Sequence, residues 1–297
     1  MDYLRGVYPA VLTAFDELGK FAPGPYEAYI DHLYAKGIHG LYVCGVSGEG
    51  LMMSPEERER VAEVAVAASR GRGHAVIHVG CGNTADAVRL ARHASRIGAS
   101  AVGCLAPYTG SFGLDSLIAH YTAVAEAAHP LPTLIYYTPQ VAPSLGSYAV
   151  LECLLDLPGI AGVKFTGTDA SELACAIFER SGKQTVLTGV DEMFLAALLM
   201  GAHGGIGSFV NLVPELFLEI YRLACAGCWE QAKPVQRRMI QVIRIVERFP
   251  FLSALKNVVR WQGFDLGEPR QPHARLTAEQ QRELRDLLSS VFRFEGA

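Results

Sequence analysis

The chain of 297 residues has no uninterrupted apolar stretch long enough to span a bilayer, and no membrane partner is expected. Its first fifteen residues hold one arginine and are broken by Pro9, so they lack the charged head and apolar run of an export signal. Basic clusters are missing too: 26 Lys and Arg stand against 30 Asp and Glu, which leaves no footprint for nucleic acid. Cysteine is sparse, with seven residues scattered over the chain. An odd, dispersed set without a signal segment points to reduced thiols in the cytoplasm and not to a disulfide framework. Metal-ligand spacings are equally scarce. Cys225 and Cys228 form one C-x-x-C pair with no second pair, whereas a structural zinc takes four ligands. His74 and His78 fall on a candidate strand, where four residues span ~13 Å, too far to share an ion. No metal is expected.

What the chain has is apolar content and glycine. Half of its residues are hydrophobic, enough for a large buried core, and 30 glycines suggest many tight loops. Short β-like runs alternate with helix-like runs to about residue 210, the rhythm of βα units around a parallel sheet. The candidate strands are 7–13, 40–43, 75–80, 101–105, 133–137, 160–164, 185–188 and 205–208. Several are near-continuous apolar runs, as strands covered on both faces should be. Between them, Ser54-Pro55-Glu56-Glu57 carries a helix-start signal, followed by the stripe Val61, Val64, Ala65 and Ala68. Thr84 opens another helix that Gly98 stops, and 115–128, 171–180 and 191–200 follow the same logic.

Eight strands with eight crossovers predict an α/β fold, a (β/α)8 barrel. The rival is an open doubly wound sheet, which would want a Gly-rich phosphate turn after the first strand. Thr13-Ala14-Phe15-Asp16 is not one. After residue 210 the strands stop, and 214–226, 229–247, 252–262 and 278–292 read as helices, with 263–274 a Gly- and Pro-rich loop. The expected organisation is a barrel over 1–226 and a C-terminal helical extension over 227–297.

Barrel active sites lie at the C-terminal ends of the strands, so those ends carry the candidates. Lys164 closes the sixth strand, where it is either a desolvated nucleophile toward carbonyls or a lysine paired with a carboxylate at the rim. The fifth strand ends Tyr136-Tyr137-Thr138-Pro139; a tyrosine there relays protons or simply packs with its hydroxyl satisfied. The second strand runs into Cys44-Gly45-Val46-Ser47-Gly48-Glu49-Gly50, which is a nest of N–H groups suited to a carboxylate, a plain tight turn, or the less favoured nucleophile elbow. Gly189-Val190-Asp191-Glu192 and Gly204-Gly205-Ile206-Gly207-Ser208 follow strands seven and eight. Their two carboxylates and serine either grip hydroxyl groups or, for the acids, cap the next helix.

In this order and spacing, the five segments resemble the dihydrodipicolinate synthase and N-acetylneuraminate lyase family, and the resemblance spans essentially the whole chain. It implies a (β/α)8 class I aldolase with a C-terminal helical extension, assembled as a homotetramer and needing no cofactor. Lys164 becomes the Schiff-base lysine and Tyr136, not Tyr137, the proton-relaying tyrosine. Val46, Ser47 and Gly48 become the loop that holds a pyruvate carboxylate. The lyase branch looks most similar: Gly189, Asp191 and Glu192, then Gly207 and Ser208, with Thr166 after the lysine, would hold the rest of the substrate. The synthase branch usually has an arginine where this chain has Val141. Two departures touch the hydroxyl relay, namely Val46 in place of a hydroxyl residue and Thr109 in place of a second tyrosine.

The resemblance therefore implies cleavage of a 2-oxo sugar acid like N-acetylneuraminate to pyruvate and an aldehyde, with the small-molecule 2-oxo acid as the partner. Another 2-keto-3-deoxy sugar acid aldolase, a dihydrodipicolinate synthase, or a hydratase, dehydratase or deaminase working through the same imine are the enzymatic alternatives. A 2-oxo-acid-binding protein with an impaired relay is the non-enzymatic one.

Overall fold

Eight short apolar runs become eight parallel strands in the computed structural model, which describes residues 4–180 and 182–291. They are β1 (Gly6–Pro9), β2 (Gly40–Val43), β3 (His74–His78), β4 (Ala101–Leu105), β5 (Thr133–Tyr137), β6 (Ile160–Phe165), β7 (Thr185–Thr188) and β8 (Gly204–Gly207). The sheet runs β1-β8-β7-β6-β5-β4-β3-β2. Its two ends meet where Ala10 bridges Tyr42 in parallel and Val11 N–H donates to the Tyr42 carbonyl at 3.1 Å. The sheet thus closes on itself as a (β/α)8 barrel. Its strands are buried on both faces, which accounts for their continuous apolar character.

The first strand is shorter than 7–13 because Leu12 and Thr13 find partners outside the sheet. Leu12 N–H donates to the Asn211 side chain at 3.3 Å, and the Thr13 hydroxyl donates to the Gly48 carbonyl at 2.7 Å. Ala10 and Val11 still bond to β8 and β2, whereas Leu12 and Thr13 are held by the loops after β8 and β2. At the other end of the sheet β8 stops at Gly207, and Ser208 leads into a 3₁₀ turn, Phe209–Asn211.

The crossovers are α1 (Pro23–Ala35), α2 (Pro55–Ser69), α3 (Thr84–Ile97), α4 (Leu114–Ala128), α5 (Tyr148–Leu155), α6 (Ala170–Arg180), α7 (Phe194–Met200) and α8 (Pro214–Cys225). Three further helices follow: α9 (Trp229–Val246), α10 (Phe251–Trp261) and α11 (Ala278–Ser289). The Phe292 end expected for the last helix lies outside the described residues. Ser54 caps α2 by accepting from Glu57 N–H, Asn83 caps α3 by accepting from Asp86 N–H, and Thr277 with Gln280 makes a capping box on α11. Each such cap contributes about 1 kcal/mol. Among the described residues no helix is long and apolar enough to cross a membrane.

The helices after α8 are tied to the barrel mouth by charge. Lys256 on α10 lies 3.0 Å from Glu49 in the loop after β2, and both side chains are fully buried. The other oxygen of Glu49 accepts from Arg270 N–H at 2.7 Å, and the Arg270 guanidinium pairs with Glu57 on α2.

Candidate active site

Lys164 points into the barrel from the end of β6 and is 4% exposed. Its Nζ sits 3.9 Å from the centre of the Tyr136 ring on β5 and 4.4 Å from that of Tyr42 on β2. Burial pulls the lysine down to about 7, while Asp191 pulls the other way. A substantial fraction of the amine is therefore uncharged at neutral pH, which a nucleophile toward carbonyls requires. Asp191 is pushed up to about 7 by burial, opposed by the N–H of Phe209 and reinforced by Glu192.

Tyr136 and Tyr137 divide cleanly. Tyr136 shares its register position with Lys164 across the β5–β6 ladder. Burial pushes its phenol up to about 12, and the side chain of Thr166 works against that shift. Thr166 Oγ1 is buried and makes no well-formed hydrogen bond. Tyr137 faces away from the interior, stacks on Phe165 at 4.7 Å and donates to Glu172 at 2.7 Å. Its role is packing.

The loops after β2 and β8 meet above the lysine. Ser47 Oγ and Ser208 Oγ are 2.5 Å apart, and Ser47 is 7% exposed. With a second serine and not an imidazole as its partner, Ser47 has no activated-nucleophile geometry. Gly48 packs so tightly that a Cβ there would lie 2.7 Å from the Val11 carbonyl oxygen. Val46 turns its side chain outward, 38% exposed, and its carbonyl accepts from Glu49 N–H to close the turn. Thr109 is engaged elsewhere, donating to the Gly82 carbonyl at 2.8 Å.

Beside Lys164 opens a cavity of about 340 Å³, lined by Thr138, Thr166, Gly189, Asp191, Glu192 and Ser208 among others. Two larger concavities lie elsewhere and do not reach the lysine. Any side chain at Gly189 would strike Thr166 Oγ1 and come within 3.2 Å of Lys164 Cε. One at Gly207 would strike the Asp191 carboxylate. Asp191 does not cap its own helix: its Oδ2 accepts from Phe209 N–H at 3.0 Å, across the turn after β8. Asp169, by contrast, is a helix cap, accepting from Ser171 and Glu172 N–H groups.

The dihydrodipicolinate synthetase family model matches residues 3–291 of this chain. The chain belongs to that family. It is a family of Schiff-base aldolases, and the similar proteins bear lyase, aldolase or dihydrodipicolinate synthase names. N-acetylneuraminate lyase of Rhizobium meliloti (strain 1021) is 32% identical over 289 residues, covering 97% of this chain and 95% of that protein. The structure of Proteus mirabilis N-acetylneuraminate lyase superposes with a TM-score of 0.89 at 30% identity, over 99% of this chain and 100% of that one. A catalytic lysine mutant of Ruminococcus gnavus sialic acid aldolase superposes at 0.90 with 25% identity, over 98% of each chain.

Several residues around Lys164 and the cavity escaped sequence reasoning. Tyr42 falls within a candidate strand and is not singled out there, and His78 is considered only with His74 as a rejected metal pair. In the barrel His78 contacts both tyrosine rings, at 5.9 Å from Tyr42 and 5.8 Å from Tyr136. Its Nδ1 lies 3.0 Å from the Cys44 carbonyl and 3.2 Å from the Arg58 guanidinium. Burial, then Arg58 and Lys164, hold the imidazole neutral. Arg58 stands behind it, donating to the carbonyls of His78 and Gly80. Glu247, just past α9, and Phe251, opening α10, also line the cavity. Burial and Glu192 raise the Glu247 carboxyl. No local signal could place these two at a barrel mouth some forty residues earlier in the chain.

Proposed function

We propose that the protein is a Schiff-base lyase that cleaves a 2-oxo sugar acid of the N-acetylneuraminate type to pyruvate and an aldehyde. The observation that carries this reading is Lys164, buried, drawn down to about 7 and set against the Tyr136 ring beside a cavity whose lining includes hydroxyl and carboxyl side chains. Neutral Nζ attacks C2 of the substrate. The C2 oxygen leaves as water, taking one hydrogen from Nζ and one proton from Tyr136, and Nζ keeps one hydrogen and a positive charge. The C3–C4 bond then breaks, its electron pair moving into the C2–C3 bond of an enamine. The Tyr136 phenolate takes the C4 hydroxyl proton as the aldehyde forms. Protonation at C3 and hydrolysis return pyruvate and free lysine.

The Ser47 hydroxyl and the N–H groups of Val46, Ser47 and Gly48 hold the substrate carboxylate in this scheme. Thr166, Asp191, Glu192 and Ser208 take the hydroxylated tail, and Gly189 and Gly207 leave room for the Thr166 and Asp191 side chains. The cavity lining includes carboxylates and no Lys, Arg or His, which favours a tail of hydroxyls over one with a second anionic group. That disfavours the synthase alternative, whose second substrate brings another carboxylate.

Pyruvate release from N-acetylneuraminate, coupled to lactate dehydrogenase, tests the reading. Release is expected from the wild type and absent from Lys164→Ala. Tyr136→Phe should lose ~10²–10⁴-fold in kcat, the usual contribution of a positioned acid–base group, while Tyr137→Phe keeps its rate. An active Lys164→Ala enzyme would sink the mechanism. Borohydride trapping of pyruvate without cleavage of any sugar acid would instead point to the 2-oxo-acid-binding alternative.

A further inference from the structure

We propose that Tyr42 and Tyr136 form a two-faced aromatic clamp on Lys164 Nζ, and that Tyr42 acts through its ring face and not through its hydroxyl. The inference rests on the reading above that Lys164 forms the imine. Nζ lies over both rings, at 4.4 Å and 3.9 Å from their centres. The Tyr42 hydroxyl is fully buried, makes no hydrogen bond and lies against Gly103 of β4, while the ring face is what meets Nζ. The ring is held in place on every side. A Cβ on Gly103 would lie 2.6 Å from the Tyr42 hydroxyl, so that glycine on β4 makes the space it occupies. A Cβ on Gly45 would lie 2.9 Å from the other edge of the ring. Tyr42 meets Tyr136 edge to face at 5.8 Å and 82°, and His78 is wedged against both.

The chemistry explains why such a clamp would be useful. Burial keeps the amine neutral for attack, but the iminium that follows carries a positive charge on the same nitrogen. Burial alone would penalise that cation as much as it penalises the ammonium. Aromatic faces attract a cation most strongly where water is excluded, so the two rings offset the penalty at the one atom that becomes charged. The titratable groups around this nitrogen are Tyr42 on β2, His78 on β3, Tyr136 on β5 and Asp191 after β7, with Arg58 behind His78. Tyr42 is thus a positioning residue that stabilises charge without exchanging a proton.

The test compares Tyr42→Phe, Tyr42→Leu and a series of fluorinated phenylalanines at position 42. Two quantities are read: the pH midpoint of Lys164 acetylation by acetic anhydride, followed by mass spectrometry, and the pyruvate concentration needed for half-maximal borohydride trapping. Tyr42→Phe keeps both, because the ring face is intact. Tyr42→Leu keeps apolar bulk but loses the face, so the midpoint falls below that of the wild type and trapping needs about tenfold more pyruvate. Successive fluorination weakens trapping in steps. A midpoint that rises in Tyr42→Leu would mean that the ring only excludes water, and overturns the clamp. So does Tyr42→Phe behaving like Tyr42→Leu, or a flat fluorine series, which also decides the matter if Tyr42→Leu does not fold. If the wild type is not trapped by pyruvate, the imine reading fails by itself, while the acetylation midpoints still judge the clamp.

Discussion

Holding Lys164 uncharged inside a barrel works against folding at neutral pH. Its pKa is ~10.4 in an unfolded chain and about 7 in the fold, so between those values the unfolded chain binds more protons. The stability that goes with the neutral form is whole above the unfolded value and is lost as pH falls through the folded one. At pH 7 the cost is on the order of 4 kcal/mol. Lys164→Met should therefore melt higher than the wild type at pH 7, with the gap narrowing toward pH 10; calorimetry at both pH values checks it, and a gap independent of pH would refute the argument. Asp191 has the opposite sign: its raised pKa favours folding below ~4 and that advantage is lost as pH rises through about 7. Lys164, Ser47 and Ser208 stood out in the sequence as polar groups at or just past the ends of buried strands, whereas Tyr136 was chosen over Tyr137 only through the family resemblance. Tyr42 and His78 did not stand out, because an inward aromatic within an apolar strand looks the same whether it faces a leucine or an amine.

Among elements, the loop after β2 is the one whose position depends most on distant parts of the chain. Glu49 spends both carboxylate oxygens on the C-terminal segment, one toward Lys256 and one on Arg270 N–H, two residues beyond the Ser47 hydroxyl. Removing one partner of a fully buried ion pair leaves the other unpaired, at ~3–5 kcal/mol. Glu49→Gln should lower the denaturation midpoint by that order and raise KM for a pyruvate-bearing substrate more than it lowers kcat. Adding Lys256→Met should recover part of the stability; a double variant no more stable than Glu49→Gln would show that the pair is not coupled. Sequence patterning found this loop but read Glu49 only as part of a motif, since its partners lie more than two hundred residues away. The same limit applied to β1, expected over 7–13, whose early end is set by Asn211 and Gly48. The helices α1 and α5 were implied by the crossover count without being delimited; α5 has only eight residues, too few for a clear period.

At the scale of the molecule, the barrel was legible because eight apolar runs at regular spacing admit few architectures. The division at 226 into barrel and extension reads as two units in sequence, yet Lys256, Arg270, Glu247 and Phe251 all reach the barrel mouth. A chain ending at residue 226 should fail to fold, leaving Glu49 buried without a cation and the cavity open on one side; a cooperative melt from that fragment would disprove this. The hydroxyl contact between Ser47 and Ser208 has a different kind of consequence. It joins turns 161 positions apart in the chain, on either side of the short first strand. A ligand seated between those hydroxyls would fasten the barrel like the pin of a bracelet. Amide exchange in the two turns would then slow together when pyruvate binds, so that occupancy is felt as tension around the whole circumference.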